Sequence, residues 1–323
     1  MQATRREILK LAAVTRFEAA SLEKVLRLNA LLAATAGQEK LRSALVLKGG
    51  TALNLFFGAP GRLSVDLDLN YVGHLDRSEM LGERPLVEAH LERVAMAGGY
   101  ALQRSANAHA GRTFHLSYRR TAGGQQDRIA IDVNFLHRQC LLEPEIRRIW
   151  QPDAATGRRA EFPVLSFDEL AAGKLIALLD RAAPRDAWDL ARLASISAGS
   201  WPGSLSKPIF VAMAGALPHP LHSYSTGGLS RITDRHVERL LHPLLLQGER
   251  PSGDEVRSHA REILGPLLDL SPTEREDCDR LQRGELAPEL LFPDDRKLAS
   301  RIASSPPLVW KALNARNQIE ERR

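Results

Sequence analysis

Cysteine is nearly absent from this 323-residue chain: only Cys140 and Cys278 occur, far apart and without metal-ligand spacing. That excludes a disulfide framework and a thiolate zinc site, and it fits a reducing cytoplasm. Long apolar runs are missing too. No stretch approaches the length of a membrane span, and the start, MQATRREILKLAAVTRF, is charged and amphipathic rather than a basic segment followed by an apolar one. A soluble, unprocessed, cytoplasmic protein without a membrane partner is expected. There is no Gly-x-x-x-x-Gly-Lys-Ser/Thr loop and no Ser or Cys triad pattern. His219, His222, His236 and His242 are scattered and have no metal spacing. Kinase readings built on such a loop, covalent hydrolysis and a histidine metal centre are therefore disfavoured. No internal repeat or low-complexity tract is present.

What is present is enough chain for two domains, each able to bury its own core. The 44 Lys and Arg against 39 Asp and Glu give a formal charge of +5 and a pI near 9.4. That balance favours a polyanionic partner, nucleic acid first.

Apolar positions at three- and four-residue spacing (Ile8, Leu11, Val14; then Leu22, Val25, Leu28, Leu32) predict two helices before residue 40. The stretch SALVLKGGTALNLFFGAPGRLSVDLDLNYVG then reads as strand, turn, helix, turn, strand. A helix is expected around Pro85 to Ala97. TFHLSYRR and RIAIDVNFL, separated by the turn-rich TAGGQQD, read as a hairpin. After about Pro163 strand signals nearly vanish. Helix starts are marked there by Ser166 with Glu169, and by Ser271, Pro272 and Glu274. The Pro-, Gly-, Ser- and His-rich stretch 199–230 is expected to contain long loops. The expected architecture is α+β and bilobed, with a small mixed sheet and helices over 1–163 and a mainly helical domain over 164–323 that completes the active-site cleft.

In RLSVDLDLNYV, Leu63, Val65, Leu67 and Leu69 alternate with Ser64, Asp66, Asp68 and Asn70, so a strand here would put both aspartates on one face. Carboxylates about 7 Å apart can converge on one metal site. A pair of Mg²⁺ ions needs such hard oxygens while a triphosphate supplies the remaining ligands. Just upstream, Lys48, Gly49, Gly50 and Thr51 join an apolar run to a helix-like segment. In strand, Gly-Gly, helix, the backbone can approach a phosphate whose charge the helix start favours. Asp132, in RIAIDVNFL, is the third candidate ligand, opposite in face to Ile129, Ile131, Val133 and Phe135. Lys174 emerges from an apolar helix surface of Leu170, Ala171, Ala177 and Leu178, from which it can reach a phosphate or snorkel to solvent. Asp186 and Asp189 follow Pro184, where acids also simply complement a helix start.

The combination of Gly-Gly, a dozen-residue spacer, Asp-x-Asp and a later strand carboxylate resembles the DNA polymerase β-like nucleotidyltransferase superfamily. More narrowly, LKGGTALNLFFGAPGRLSVDLDL, KLIALLDRAAPRDAWDLARL and LLFPDDRKLASRIASSPPLVWKALNAR look like the AbiEii/AbiGii (MenT-like) toxin family. Val65 departs from the acidic residue many relatives carry there. The resemblance implies an NTP-dependent, pyrophosphate-releasing enzyme in which Asp66, Asp68 and Asp132 hold Mg²⁺ and Asp132 lies near the attacking hydroxyl. It implies that Lys174 holds the triphosphate and that Arg185, Asp186 and Asp189 form the helical wall of the site, with Arg62 and Ser64 as further phosphate contacts. It also implies a type IV (AbiE-like) toxin role in phage defence, an acceptor at the tRNA 3′ end or other RNA, and a winged-helix antitoxin of AbiEi type as partner. Two alternatives stand beside it: transfer to a protein or small-molecule hydroxyl, and a non-catalytic module that binds RNA or a partner.

Overall fold

The computed structural model describes residues 3–106, 108, 110–153, 155 and 158–321. It divides into two compact units. Unit 1 comprises residues 1–140, 144–165 and 242–250; unit 2 comprises 141–143, 166–241 and 251–323.

Unit 1 begins with α1 (Arg5–Thr15) and α2 (Ala19–Ala36). Thr4 and Glu7 cap α1 reciprocally, and the expected apolar stripe of α2, including Leu22, Val25, Leu28 and Leu32, is buried. There follow α3 (Glu39–Ala44), β1 (Leu45–Lys48), α4 (Gly49–Phe56), β2 (Leu67–Tyr71), α5 (Arg77–Ala97), β3 (Ala101–Arg104), β4 (Gly111–Arg119), β5 (Gln126–Asn134), β6 (Glu145–Arg148) and β7 (Glu161–Val164). The seven strands form one sheet in the order β3-β4-β5-β2-β1-β7-β6. It is mixed: β2 is parallel to β5 and β1 to β7, and the other pairs are antiparallel. The α+β fold class expected from the sequence is the one observed.

The hairpin of β4 and β5 forms as the alternation predicts, with Phe114, Leu116, Ile129, Ile131 and Val133 buried on one face. Three differences stand out. The strand expected from Leu63 starts only at Leu67, because Arg62 bridges to Leu245 and the Leu63 N–H bonds the Leu244 carbonyl. The helix expected near Pro85 starts eight residues earlier, at Arg77, where Asp76 caps it by accepting from the Ser78 and Glu79 N–H groups. Strands β3, β6 and β7 were not anticipated; each has four residues, too short for an alternation to stand out.

Unit 2 contains α6 (Phe167–Arg181), α7 (Pro184–Ala191), α8 (Leu193–Ile196), α9 (Ser206–Ala214), α10 (Asp234–Leu240), α11 (Gly253–Leu268), α12 (Pro272–Gln282), α13 (Arg296–Ala303) and α14 (Pro306–Glu320). No strand occurs among its described residues. The Ser271–Glu274 capping box forms, with Pro272 in the first turn. Ser166 also caps its helix, but the Glu169 carboxylate turns instead to the Leu141 and Leu142 N–H groups, at 3.0 and 2.9 Å. Within 199–230 irregular segments flank a helix that was not anticipated, α9, with Ile209, Phe210 and Val211 buried, and two short 3-10 turns follow. The apolar IFVAMA run drives that helix inward, and the flanking turn residues had masked it.

Candidate active site

The sheet registers bring four chemistry-bearing residues into one row. Lys48 on β1 pairs with Asp68 on β2, Asp68 with Asp132 on β5, and Asp132 with Thr113 on β4. Residues directly opposite across a sheet share a face and lie within contact range. The row therefore presents an ammonium, two carboxylates and a hydroxyl side by side. Thr113 donates its hydroxyl proton to Asp132 Oδ1. All four line a cavity of about 310 Å³, together with Ser105, Arg112 and Asn134. That volume is at the lower end of ordinary ligand pockets. The half-buried His137 imidazole is pushed down to about 4 by burial, with the nearby Lys48 ammonium adding to the effect. At neutral pH Lys48 thus has an uncharged imidazole as its neighbour.

Gly49 follows Lys48 as the first residue of α4, with φ +71°. A Cβ there would stand 2.2 Å from Asp68 Oδ2 and 2.8 Å from its Cγ. Glycine is thus required twice, for left-handed backbone and for the close approach of the carboxylate to the helix start. Gly49→Ala is expected to cost about 1–2 kcal/mol from the backbone alone and to displace Asp68 besides. Urea unfolding measures the first effect and nucleotide transfer the second; wild-type values in both assays would contradict this account. Thr51 is fully buried and donates its hydroxyl to the Asp66 carbonyl, tying α4 to the segment that leads into β2. Asn54 donates to the Gly50 carbonyl at 3.0 Å.

Asp66 lies one residue before β2, and its Oδ1 accepts the Ala130 N–H at 3.2 Å. It does not line the cavity. Arg62 and Ser64 are buried, and neither lines the cavity; an Arg62 guanidinium nitrogen donates to the Leu63 carbonyl. Among the described residues, no three His, Cys, Asp or Glu side chains converge closely enough to hold a metal ion by themselves. The pair Asp68 and Asp132 still suits Mg²⁺, which takes one or two carboxylates and fills its octahedron with water and substrate phosphates. The donors are hard oxygens without Cys or His, a set suited to Mg²⁺ rather than to a softer metal.

Sequence reasoning missed Thr113, Arg112, Asn134 and Ser105. Thr113 could have been found by pairing the hairpin strands, but TAGGQQD allows several registers and only one puts Thr113 opposite Asp132. The cavity rim is held from behind. Arg84 on α5 donates to the Ala108 and Gly111 carbonyls at 3.1 and 3.3 Å and to Glu88 at 2.7 Å, and Glu88 also faces Arg112 at 3.4 Å.

Unit 2 holds the other predicted residues. Lys174 on α6 is buried, with Nζ 3.0 Å from Asp186 Oδ1 and 2.7 Å from Asp189 Oδ2. Arg181 reaches the second oxygen of Asp186 at 2.7 Å. Burial opposes ionisation of Asp186, but the Lys174 and Arg181 cations outweigh it and hold the carboxyl well below the usual range. Two of the three Lys174 N–H donors are engaged by these aspartates, leaving one. Arg185 is half-buried and makes no ion pair among the described residues.

A mixed sheet carrying paired aspartates in a cavity, next to a Gly-Gly helix start, is the arrangement expected of a nucleotidyltransferase. Residues 30–220 match the family model described as the nucleotidyl transferase AbiEii toxin of type IV toxin–antitoxin systems, and the chain belongs to that family. Membership implies an NTP substrate, typically a divalent metal, and an antitoxin partner. Among solved structures, MenT4, a nucleotidyltransferase toxin of Mycobacterium tuberculosis H37Rv, shares the fold: TM-score 0.58, 21% identity, 93% of this chain and 98% of that one covered. JHP933 of Helicobacter pylori aligns over 82% of this chain and 99% of its own at 16% identity and TM-score 0.43. No curated protein matches the chain. No helix among the described residues is long and apolar enough to cross a membrane.

Proposed function

We propose that this toxin transfers a nucleoside monophosphate from an NTP to the 3′ hydroxyl of RNA, the tRNA acceptor end first, and so blocks translation in the cytoplasm. The observation that carries the reading is the Lys48–Asp68–Asp132–Thr113 row lining one cavity. The RNA acceptor is supported by charge: the basic surplus of the chain lies in unit 1, while unit 2 has slightly more carboxylates than cations.

In this reading residues 1–163 carry the carboxylates and 164–323 the Lys174 cluster. Lys48 and the Gly49–Gly50 backbone hold the triphosphate; in unit 2 the remaining N–H of Lys174 is a further candidate phosphate donor. Asp68 and Asp132 would hold Mg²⁺, which when bound would neutralise the phosphates and polarise the α-phosphorus; Asp66, outside the cavity, is the candidate third ligand. Asp132, steadied by Thr113, orients the acceptor hydroxyl and takes its proton. A bond forms from that oxygen to the α-phosphorus, the bond to the β-phosphate bridging oxygen breaks, and pyrophosphate leaves. A winged-helix antitoxin of AbiEi type is the proposed partner.

The test is incubation of the purified chain with Mg²⁺, total tRNA and each α-labelled NTP in turn, resolved on a denaturing gel. Label on tRNA with one NTP, lost on chelation with EDTA, is expected. Label on protein would move the acceptor to a protein hydroxyl, and no label despite bound NTP would leave a binding module.

A further inference from the structure

Along β4 and β5 the face that carries Thr113 and Asp132 continues beyond them as an open polar surface. Register places His115 opposite Ala130, Ser117 opposite Arg128, and Arg119 opposite Gln126; on β3, Gln103 pairs with His115. The other face of these strands is packed with Phe114, Leu116, Ile129 and Ile131, so this half-sheet has one dry side and one wet side. On the wet side Gln103, Arg119, Gln126 and Arg128 are exposed. Among the described residues neither the Arg119 nor the Arg128 guanidinium makes an ion pair or hydrogen bond; the Arg128 backbone N–H donates to the Asp127 carboxylate at 2.8 Å, but its side chain does not. His115 has its buried Nδ1 without a hydrogen-bond partner.

These two guanidiniums stand apart from their neighbours Lys24, Arg27 and Arg120, which face acids. Arg128 lies four residues from Asp132 along β5, about 14 Å at the ordinary strand rise. Arg119 is six residues from Thr113 along β4, about 20 Å away. Cations thus stand at one end of the face and the carboxylate row at the other, with the small Ala130 and Ser117 between them.

We infer that this β3–β4–β5 face is the platform on which the acceptor RNA lies, with Arg128 and Arg119 pairing its backbone phosphates a few nucleotides upstream of the reacting 3′ hydroxyl. The inference rests on the RNA reading above. Charge complementarity selects the occupant: phosphates match unpaired guanidiniums in the unit that carries the basic surplus. Guanidiniums pair with backbone phosphates whatever the base, so the contact is one to backbone, independent of sequence.

The experiment compares the full-length wild type with Arg119→Ala/Arg128→Ala, and with Arg5→Ala/Arg6→Ala, which removes the same charge from exposed, unpaired positions on α1. Binding of total tRNA is titrated across a salt series, NTP binding is measured separately, and KM for tRNA is taken from the labelling assay. The face variant is expected to raise Kd and KM for tRNA by about tenfold and to reduce the slope of log Kd against log salt by about 1.4, two single-strand phosphate contacts. Its NTP affinity and melting temperature should match wild type, and the α1 variant should bind tRNA normally. Unchanged tRNA binding by the face variant, or equal weakening in both variants, overturns the platform while leaving nucleotidyl transfer to RNA intact. A wild type that neither binds nor labels tRNA overturns the RNA reading, and the platform with it.

Discussion

Asp68→Asn is expected to reduce nucleotide transfer by about 10³-fold or more, some 4 kcal/mol of lost transition-state stabilisation at 1.36 kcal/mol per tenfold. The carboxamide keeps the shape against Gly49, where there is no room to rearrange, so the fold should survive. What disappears is the negative charge beside Asp132 in the cavity. Asp132→Asn should lose as much, since Thr113 can still donate to the remaining carbonyl oxygen and hold the side chain in place. Asp66→Asn discriminates further. Its Oδ1 is engaged by the Ala130 N–H, and the amide can keep that bond. A loss equal to that of Asp68→Asn would make Asp66 a full ligand. A loss of tenfold or less would make it a support for β5. The measurement is single-turnover transfer of α-labelled NTP, with thermal unfolding as the control on fold. Retention of more than a tenth of wild-type activity by Asp68→Asn would sink the carboxylate-row mechanism.

The part of this site that lies on regular secondary structure was legible in the sequence. Alternation in LSVDLDL and RIAIDVNFL puts Asp68 and Asp132 on polar faces, and parallel pairing of β2 with β5 makes them neighbours. Gly49 was legible as a glycine, but for a reason different from the phosphate approach alone: the partner it accommodates is Asp68. The status of Asp66 was not legible. It depends on residues 244 and 245, some 180 positions away, which take the backbone hydrogen bonds of Arg62 and Leu63 and delay the strand. No local pattern encodes a contact at that separation. Thr113 was hidden by a turn whose length leaves the register open, and β6 and β7 by their shortness. For Arg62, local chemistry suggested a phosphate contact, whereas its side chain is among the largest fully buried ones of the chain.

Lys174→Met is expected to destabilise the chain by about 3–5 kcal/mol at neutral pH, the range for removing one partner of a buried ion cluster. Lys174, Asp186 and Asp189 are 6%, 1% and 0% exposed, so water cannot replace the lost ammonium. Arg181 tempers the effect at Asp186 from the surface side. The pH dependence gives a signature that a merely mispacked side chain would lack. The folded-state pKa of Asp186 lies below its unfolded value, so its contribution is complete above the ordinary aspartate range and is lost as the pH falls through the folded value. Removing Lys174 removes the largest of the charges that lower this pKa, while Arg181 remains. Urea unfolding should therefore show a large gap between wild type and Lys174→Met at pH 7, narrowing towards pH 3. Equal stability at pH 7 would show that the cluster is not what holds α6 to α7. The nucleotide role is tested separately, at a temperature where both proteins are folded. If the third N–H of Lys174 contacts the triphosphate, KM for NTP rises as well. If the cluster only joins the two helices, KM stays put while stability falls.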